Sequence, residues 1–425
     1  MRAAFRVETA KLLAQWPARV LPLVCLLAPL AFAAVLHIQS GVPQDTLFGG
    51  WVHTSGFAIP LVTLGFTGAW GFPVIAGVVG GEMFAGEDRL GTWKTVLTRA
   101  CTRAEIFAAK VLTACAYTVV MVLLLCAGSL LAGVVATGTQ PLVGLSGQVL
   151  GSGHAAELTL ASWAVSLLPA LGFTCLALLV SAVTRSSAAG MLGPLLAALA
   201  MQLLSLVGSG DVVRGLLLST PLDAWHGLFA APAFRGPIAW GALTCLAYVV
   251  VCLGGAWLSL RRRDVAGAVP TVRGWSRPLR GVAVAVAAVA ALAAAGNVGA
   301  TGITAARLDR SLATTFENLT VLQQADLGRR VPAGARMRIW PTCRRQGVPT
   351  PTRGPGDDWL CALEIVTPAV SGGVVPVNYD VSVKPNGCYT AEGPPAYIGP
   401  MTIGRGGVTR VNPLFRFDGC FDVAP

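Results

Sequence analysis

The stretch from Ala108 to Val135, "AAKVLTACAYTVVMVLLLCAGSLLAGVV", contains one charged residue, Lys110, close to its start. A helix that crosses the hydrocarbon core of a bilayer needs about 20 mainly apolar residues, and this stretch is long enough. Only 12% of the whole chain is charged and 54% is hydrophobic, whereas soluble domains carry about 25% charged residues. The stretch therefore predicts a membrane span, and the composition predicts that most of the chain lies in a membrane.

Apolar runs of similar length recur along the chain and predict seven spans. The seventh run is rich in Ala and is the least hydrophobic of them. The pattern predicts an all-α polytopic membrane protein with a six-span core and a seventh span after it. The predicted spans are 18–38, 57–80, 108–135, 158–183, 187–208, 237–260 and 281–303.

The distribution of Lys and Arg between the loops predicts the orientation of these spans. If the N-terminus is inside, the inside segments hold sixteen Lys and Arg residues, and the outside loops hold only Arg214 and Arg235. Cytoplasmic loops carry the excess of basic residues. We therefore expect a multi-pass protein of a bacterial plasma membrane with a cytoplasmic N-terminus. Basic residues scattered beside spans do not form the basic face that binds nucleic acid, so no nucleic-acid partner is expected.

The segment after the seventh span differs in composition and is predicted to lie outside the membrane. Residues 304–330 predict a helical stalk, and residues 331–425 predict a small extracytoplasmic β-rich domain. Within it, "CALEIV" (361–366) and "YDVSVKP" (379–385) have the alternation of strands, and "KPNG" (384–387) is typical of a turn.

Four of the eleven cysteines lie in this C-terminal segment: Cys343, Cys361, Cys388 and Cys420. An oxidising compartment permits disulfides, and a small domain gains stability from them. Four cysteines allow three pairings, and locality favours Cys343–Cys361 with Cys388–Cys420. A zinc site is the alternative, but no C-x-x-C or paired His accompanies these cysteines, and we expect no metal.

The first 17 residues predict an amphipathic helix in the plane of the membrane surface. Phe5, Leu12, Leu13 and Trp16 share one face of this helix, and the basic residues point elsewhere. A cleaved secretory signal is the alternative interpretation. The leader is long and contains Glu8, which favours an uncleaved anchor.

The connector between the second and third spans, 82–104, holds seven charged residues between two apolar runs. Thr102 and Glu105 have the spacing of a capping box, which would start the next helix before the membrane. Gly86 and Gly91 have the spacing of the two glycines of a phosphate-binding loop. That loop requires Lys directly after the second Gly, and Thr92 stands there. We therefore expect no ATP binding by this chain.

The segment "GEDRLGTWKTVLTRACTRAEIFAAKVL" (86–112) resembles the first cytoplasmic loop of type-2 ATP-binding-cassette exporter permeases. The family's loop has Glu, then Gly-Thr, a Leu, a Pro-x-x-Arg and a Lys that enters the next span. Ala100-Cys101 stands where the family has its Pro. The resemblance covers roughly residues 1–262. The matching residues here are Glu87, Gly91, Thr92, Leu97, Arg103 and Lys110.

The resemblance implies a permease subunit with no enzymatic activity or cofactor of its own. Mg-ATP would be bound and hydrolysed by a separate cytoplasmic ATPase subunit, and a second copy or a related permease would complete the path. The resemblance covers the helix 1–17 and the six-span core 18–262. The basic linker with the seventh span, 263–303, the stalk, 304–330, and the β-rich domain, 331–425, depart from the family's six-span pattern and are predicted from the sequence alone. The residues expected to couple to the ATPase are Glu82, Glu87, Arg89, Gly91, Thr92, Lys94, Arg99 and Arg103.

Two hypotheses of different classes follow from these patterns. The first is an exporter permease for a hydrophobic or amphipathic substrate such as a drug, an antibiotic or a lipid, because the spans contain no carboxylate of the kind that ion-coupled transporters use. The second is a membrane-anchored sensor or binding protein whose extracytoplasmic β domain is the working part. Asp211, Asp223 and His226 cluster in one outer loop, but no partner residues indicate a catalytic site there.

Overall fold

A computed structural model describes residues 1–38, 46–93, 102–206, 211–262, 302–329, 338–346, 353–366, 375–405 and 408–423. Within these residues, six helices are long and apolar enough to cross a membrane. They indicate a multi-pass membrane protein, as the composition predicts. The helices of the core are α1 Arg2–Ala14, α2 Trp16–Ile38, α3 Ala58–Leu90, α4 Arg103–Thr137, α5 Ser152–Thr184, α6 Ser187–Leu206, α7 Asp211–Leu216 and α8 Gly236–Arg261.

The six predicted core spans each correspond to one of these helices, so that prediction is confirmed. The predicted seventh span, 281–303, lies almost entirely outside the described residues. The largest difference is at the end of the second span. We predicted that it stops at residue 80, whereas α3 continues to Leu90. Met83, Phe84 and Ala85 are buried, and this packing extends the helix through the charged stretch.

Glycines of α3 bring its backbone close to the neighbouring helices. A Cβ on Gly77 would lie 2.2 Å from the Met191 carbonyl oxygen of α6. A π-helical turn, Thr67–Gly71, interrupts α3. Gln202 Nε2 of α6 donates to the Ala69 carbonyl oxygen in this turn over 2.9 Å. Small residues at such crossings allow helices to pack closely.

The helical core has two ends, which are called here the α1 end and the sheet end. At the α1 end, the N-terminal amine lies 3.3 Å from Glu105 Oε1, and Arg103 Nη1 donates to the Arg261 carbonyl oxygen over 3.3 Å. At the sheet end, Ser55 Oγ donates to the Gln140 carbonyl oxygen over 2.9 Å. This end also carries a short hairpin, β1 Leu142–Val143 with β2 Val149–Leu150, and two 3-10 turns, Gly49–Trp51 and Thr220–Phe229.

Residues 302–423 contain a domain in which one long helix packs on an antiparallel sheet. Five strands pair in the order β3-β4-β5-β6-β9, and β7 with β8 forms a separate hairpin. The turn after β5 has Gly387 at φ 82, as "KPNG" predicts. The elements are α9 Ala305–Asp326, β3 Arg338–Arg345, β4 Gly356–Val366, β5 Val375–Val383, β6 Cys388–Glu392, α10 Pro395–Ile398, β7 Thr402–Arg405, β8 Val408–Val411 and β9 Arg416–Cys420.

Helix α9 covers one face of this sheet and is not a separate stalk, which corrects the prediction for residues 304–330. Leu308, Leu312, Phe316 and Leu319 are buried on one side of the helix. They pack with Trp359, Tyr379 and Phe417 of the strands in one apolar cluster. Burying this stripe against the sheet removes apolar surface from water, which a free stalk would leave exposed.

Both predicted disulfides are present. Cys343–Cys361 joins directly paired residues of β3 and β4, and Cys388–Cys420 joins directly paired residues of β6 and β9. Their Cα atoms lie 4.0 and 3.9 Å apart. The zinc alternative for these four cysteines is therefore wrong.

Candidate functional site at the α1 end

The described part of the connector is a helix end, a left-handed glycine and a helix start. Helix α3 ends at Leu90, and Gly91 adopts φ 65, where its amide donates to the carbonyl oxygens of Asp88 and Glu87. Glycine adopts this conformation at the lowest steric cost. Lys94 and Arg99 lie outside the described residues. Helix α4 then begins with the predicted capping box, in which Glu105 N donates to Thr102 Oγ1 over 3.2 Å.

Four charged side chains from three helices form one network at this helix end, in which Glu8, Glu87 and Lys110 are buried and Lys11 is exposed. Lys110 Nζ of α4 donates to Glu8 Oε2 of α1 over 2.7 Å and to Glu87 Oε1 of α3 over 3.0 Å. Lys11 Nζ donates to Glu87 Oε1 over 2.8 Å and to Glu8 Oε1 over 3.3 Å. Two lysines and two glutamates thus balance their charges. This set is called here the four-charge network.

The hydroxyl of Thr92 also donates to Glu87, at Oε2. The Trp93 ring lies 5.9 Å from Lys110 Nζ, within the range of a cation–π contact. The first two residues after the helix-ending Gly91 are therefore tied to the network. This arrangement links the start of the connector to α1 and α4.

Three of the four side chains of the network are almost fully buried. Lys110 is 1% exposed, Glu8 6% and Glu87 7%. Removing one partner of a buried ion pair leaves an uncompensated charge and costs about 3–5 kcal/mol. Partial burial lowers the pKa of Lys11, but its contacts with Glu87 and Glu8 raise it more, so its pKa lies above the usual value. The network therefore holds α1, the end of α3 and the start of α4 together as one unit.

The other predicted coupling residues that lie within the described part of the chain are on or near the surface. Arg89 is exposed and lies 3.3 Å from Glu82, which is mostly covered. Gly91 and Arg103 are exposed, whereas Thr92 is half-buried. Glu87 is buried, so its role would be to hold the neighbouring residues of the connector in place and not to contact a partner directly. Beside Arg89, Leu90 is 70% exposed, a surface apolar residue that the sequence analysis did not single out.

The ion pairs that Glu8, Lys11 and Lys110 form in the network were not predicted from the sequence. The signals were present. Glu8 is the one acidic residue among the first 17, and Lys110 is the one charged residue of an apolar run. Of the residues predicted to form the apolar face of the N-terminal helix, Leu12 is buried, whereas Leu13 is 47% exposed and Trp16, the first residue of α2, is 75% exposed. In the described part of the chain, no group of three or more His, Cys, Asp or Glu is placed to hold a metal ion.

A comparison with protein-family models finds one whose description is "Protein of unknown function (DUF2705)", and it matches residues 53–266. No curated protein matches the chain. The matched region begins before α3 and ends after α8, so it contains five of the six long apolar helices and the connector. It covers just over half of the sequence, and the chain accordingly belongs to the DUF2705 family.

Proposed function

We propose that this chain is the membrane permease subunit of an ATP-driven exporter, powered by a separate cytoplasmic ATPase subunit. The observation that carries the proposal is the four-charge network. It joins the N-terminal helix to both helices that flank the connector. A push on Leu90, Gly91 or Arg89 would be transmitted to α1, α3 and α4 together, because the buried ion pairs resist separation.

The surface at the α1 end suits a protein partner. Leu90 offers an exposed apolar contact, its chain neighbour Arg89 adds an exposed charge, and Arg103 at the start of α4 is also exposed. Interfaces commonly combine an apolar centre with a polar rim. In this proposal the α1 end is cytoplasmic, in agreement with the sixteen-to-two distribution of basic residues. The ATPase contacts Arg89, Leu90, Gly91 and Arg103, and Glu87 acts by positioning them.

The proposal includes a seventh span and an extracytoplasmic C-terminal domain. Helix α8 ends at the α1 end of the core, where the described residues stop at Arg262. The next described residue, Gly302, lies at the sheet end. This change of end supports a further crossing. The two disulfides support an oxidising compartment for the sheet end. The path would be completed by a second copy or a related permease, and its apolar helices favour a hydrophobic or amphipathic substrate such as a drug, an antibiotic or a lipid.

The candidate partner is any subunit with Walker motifs that is encoded beside this gene, and the test is co-purification of that subunit with the chain. We expect the full chain to retain that ATPase in detergent. Leu90→Asp should release it, because a charge replaces the exposed apolar contact. The control Leu13→Asp changes an exposed leucine of α1 away from the connector and should retain the ATPase. If no subunit with Walker motifs binds the unaltered chain, the proposal is contradicted.

A second candidate function is a sensor or binding protein that works through its C-terminal domain. The observation that favours it is a cleft where the domain meets the helical core. Trp51 of the core and Met401, Phe415 and Arg416 of the domain line this cleft. It combines aromatic, apolar and cationic side chains. Ligand-dependent stabilisation of the domain without any ATPase partner would favour this function over the first.

A further inference from the structure

The two disulfides of the C-terminal domain have different surroundings. Cys343 and Cys361 belong to the domain's own apolar cluster, with Trp359 and Tyr379. Cys388 and Cys420 instead belong to the apolar cluster of the helical core. All four residues are at most 4% exposed. The second disulfide is therefore covered by the contact between the domain and the core.

The residues around Cys388–Cys420 make that contact. Cys420 N donates to the Leu145 carbonyl oxygen of the β1–β2 hairpin over 3.2 Å. Two residues earlier in β9, Asp418 Oδ2 accepts from Phe48 N over 3.1 Å. Two residues before Cys388, the Asn386 amide lies 3.5 Å from His226 Nδ1. The disulfide thus joins the two strands whose ends contact three loops of the core.

A further hydrogen bond ties the domain to the core through α9, from Asn318 Nδ2 to the Ser146 carbonyl oxygen over 2.7 Å. This set of contacts between the domain and the sheet-end loops is called here the seam. The seam combines these hydrogen bonds with apolar contacts, because Cys388 and Cys420 of the domain lie in the cluster of the helical core and Val143 of β1 lies in the cluster of the domain. The other buried apolar residues of the domain lie in its own cluster. A domain with its own core can move relative to its neighbour unless their interface is large and hydrophobic. The domain can therefore undock as a folded unit.

We propose that the Cys388–Cys420 disulfide is a redox-sensitive clasp that keeps the C-terminal domain docked on the sheet-end loops. A dithiol reductant transfers two electrons and two protons to this disulfide. Two thiols form, and the reductant becomes a disulfide. Reduction frees the end of β9 from β6, so the seam opens while Cys343–Cys361 holds β3 to β4. Docking in turn shields the clasp, so reduction requires prior opening of the seam.

A variant of the core tests the shielding without altering the domain. A Cβ on Gly147 would lie 2.6 Å from the Thr315 carbonyl oxygen and 3.0 Å from Asn318 Cβ, so Gly147→Ala should force the seam apart. Gly138→Ala is the matched control, because Gly138 also has positive φ but has no domain atom within 4 Å. The full chain in nanodiscs is treated with dithiothreitol, and free thiols are mapped by alkylation and mass spectrometry.

We expect Gly147→Ala to speed reduction of Cys388–Cys420 by about tenfold or more, with reduction of Cys343–Cys361 unchanged. Gly138→Ala should match the unaltered chain. Equal reduction rates for Cys388–Cys420 in the unaltered chain and in Gly147→Ala would overturn the proposal. Acceleration at both disulfides would also overturn it, because the domain itself would then be opening.

Removing each disulfide tests the clasp directly, by hydrogen exchange of the full chain. Replacing Cys388 and Cys420 by Ala should speed exchange of the Phe48 amide by about tenfold, with β4 and β5 still protected. Replacing Cys343 and Cys361 by Ala should leave Phe48 unchanged and speed exchange in β3. Loss of protection throughout β4 and β5 in the variant without Cys388 and Cys420 would show that this disulfide only stabilises the domain. Equal acceleration at Phe48 in the two variants would show the same.

Discussion

Lys110 and Glu8 form an ion pair of 2.7 Å although 102 residues separate them in the chain. The pair connects the N-terminal helix, which lies across one end of the core, to the first turns of α4. Glu87, near the end of α3, accepts a second hydrogen bond from Lys110 Nζ. These three helices are therefore held together by charges that are almost inaccessible to water.

The first prediction concerns the stability of this network. Lys110→Met leaves two buried glutamates with Lys11 as their remaining cation, so it should destabilise the helical core by about 3–5 kcal/mol. Arg89→Met removes an exposed pair with Glu82 and should cost about 0–1 kcal/mol. Thermal unfolding of the full chain in detergent measures both. Similar losses in the two variants would mean that the buried pairs contribute no more than the surface pair.

A second prediction concerns orientation. In a background where cysteines outside the two disulfides are replaced, Arg89→Cys should react with a membrane-impermeant maleimide only after the cells are permeabilised. Asn378→Cys, on an exposed position of β5, should react in intact cells. The excess of basic residues at the α1 end motivates both expectations. Reaction of Arg89→Cys in intact cells would reverse the orientation and remove the α1 end from contact with a cytoplasmic ATPase.

The third prediction is a pH dependence of the C-terminal domain. Burial raises the pKa of Asp418 to about 6, against the opposing effects of the Thr390 hydroxyl, Lys384, the Phe48 amide and Arg416. Asp in an unfolded chain titrates near 3.9. The folded state therefore holds this proton more tightly, so domain stability should fall as pH rises from about 4 to about 6.

Calorimetry of the full chain between pH 4 and pH 7 measures this effect. Asp418→Asn should reduce the slope and should also reduce the pH dependence of Phe48 amide protection. Burial likewise raises the pKa of Asp309 to about 6, but this residue contacts Cys343 N inside the domain. Asp309→Asn should therefore flatten the stability profile without changing the pH dependence at Phe48. A seam whose protection is independent of pH would contradict the role given to Asp418.

Features set by local sequence could be predicted, whereas those set by distant contacts could not. The six core spans follow from runs of apolar residues, and the Thr102 cap follows from its spacing to Glu105. The disulfide pairing follows from short loops. The four-charge network joins residues up to 102 positions apart, and nothing local relates Glu8 to Lys110. The stripe of Leu308, Leu312, Phe316 and Leu319 does have helical spacing, and it could have shown that α9 packs on a sheet.

The most direct test of the central claim is ATP hydrolysis by the purified chain with and without the neighbouring ATPase, both in lipid vesicles. We predict no hydrolysis by the chain alone. We predict hydrolysis and substrate-stimulated turnover by the complex, with the stimulation lost in Arg89→Glu and kept in the control Arg2→Glu. Hydrolysis by the chain alone would contradict the account. An ATPase that does not bind this chain, and whose hydrolysis rate is the same with and without it, would also contradict it.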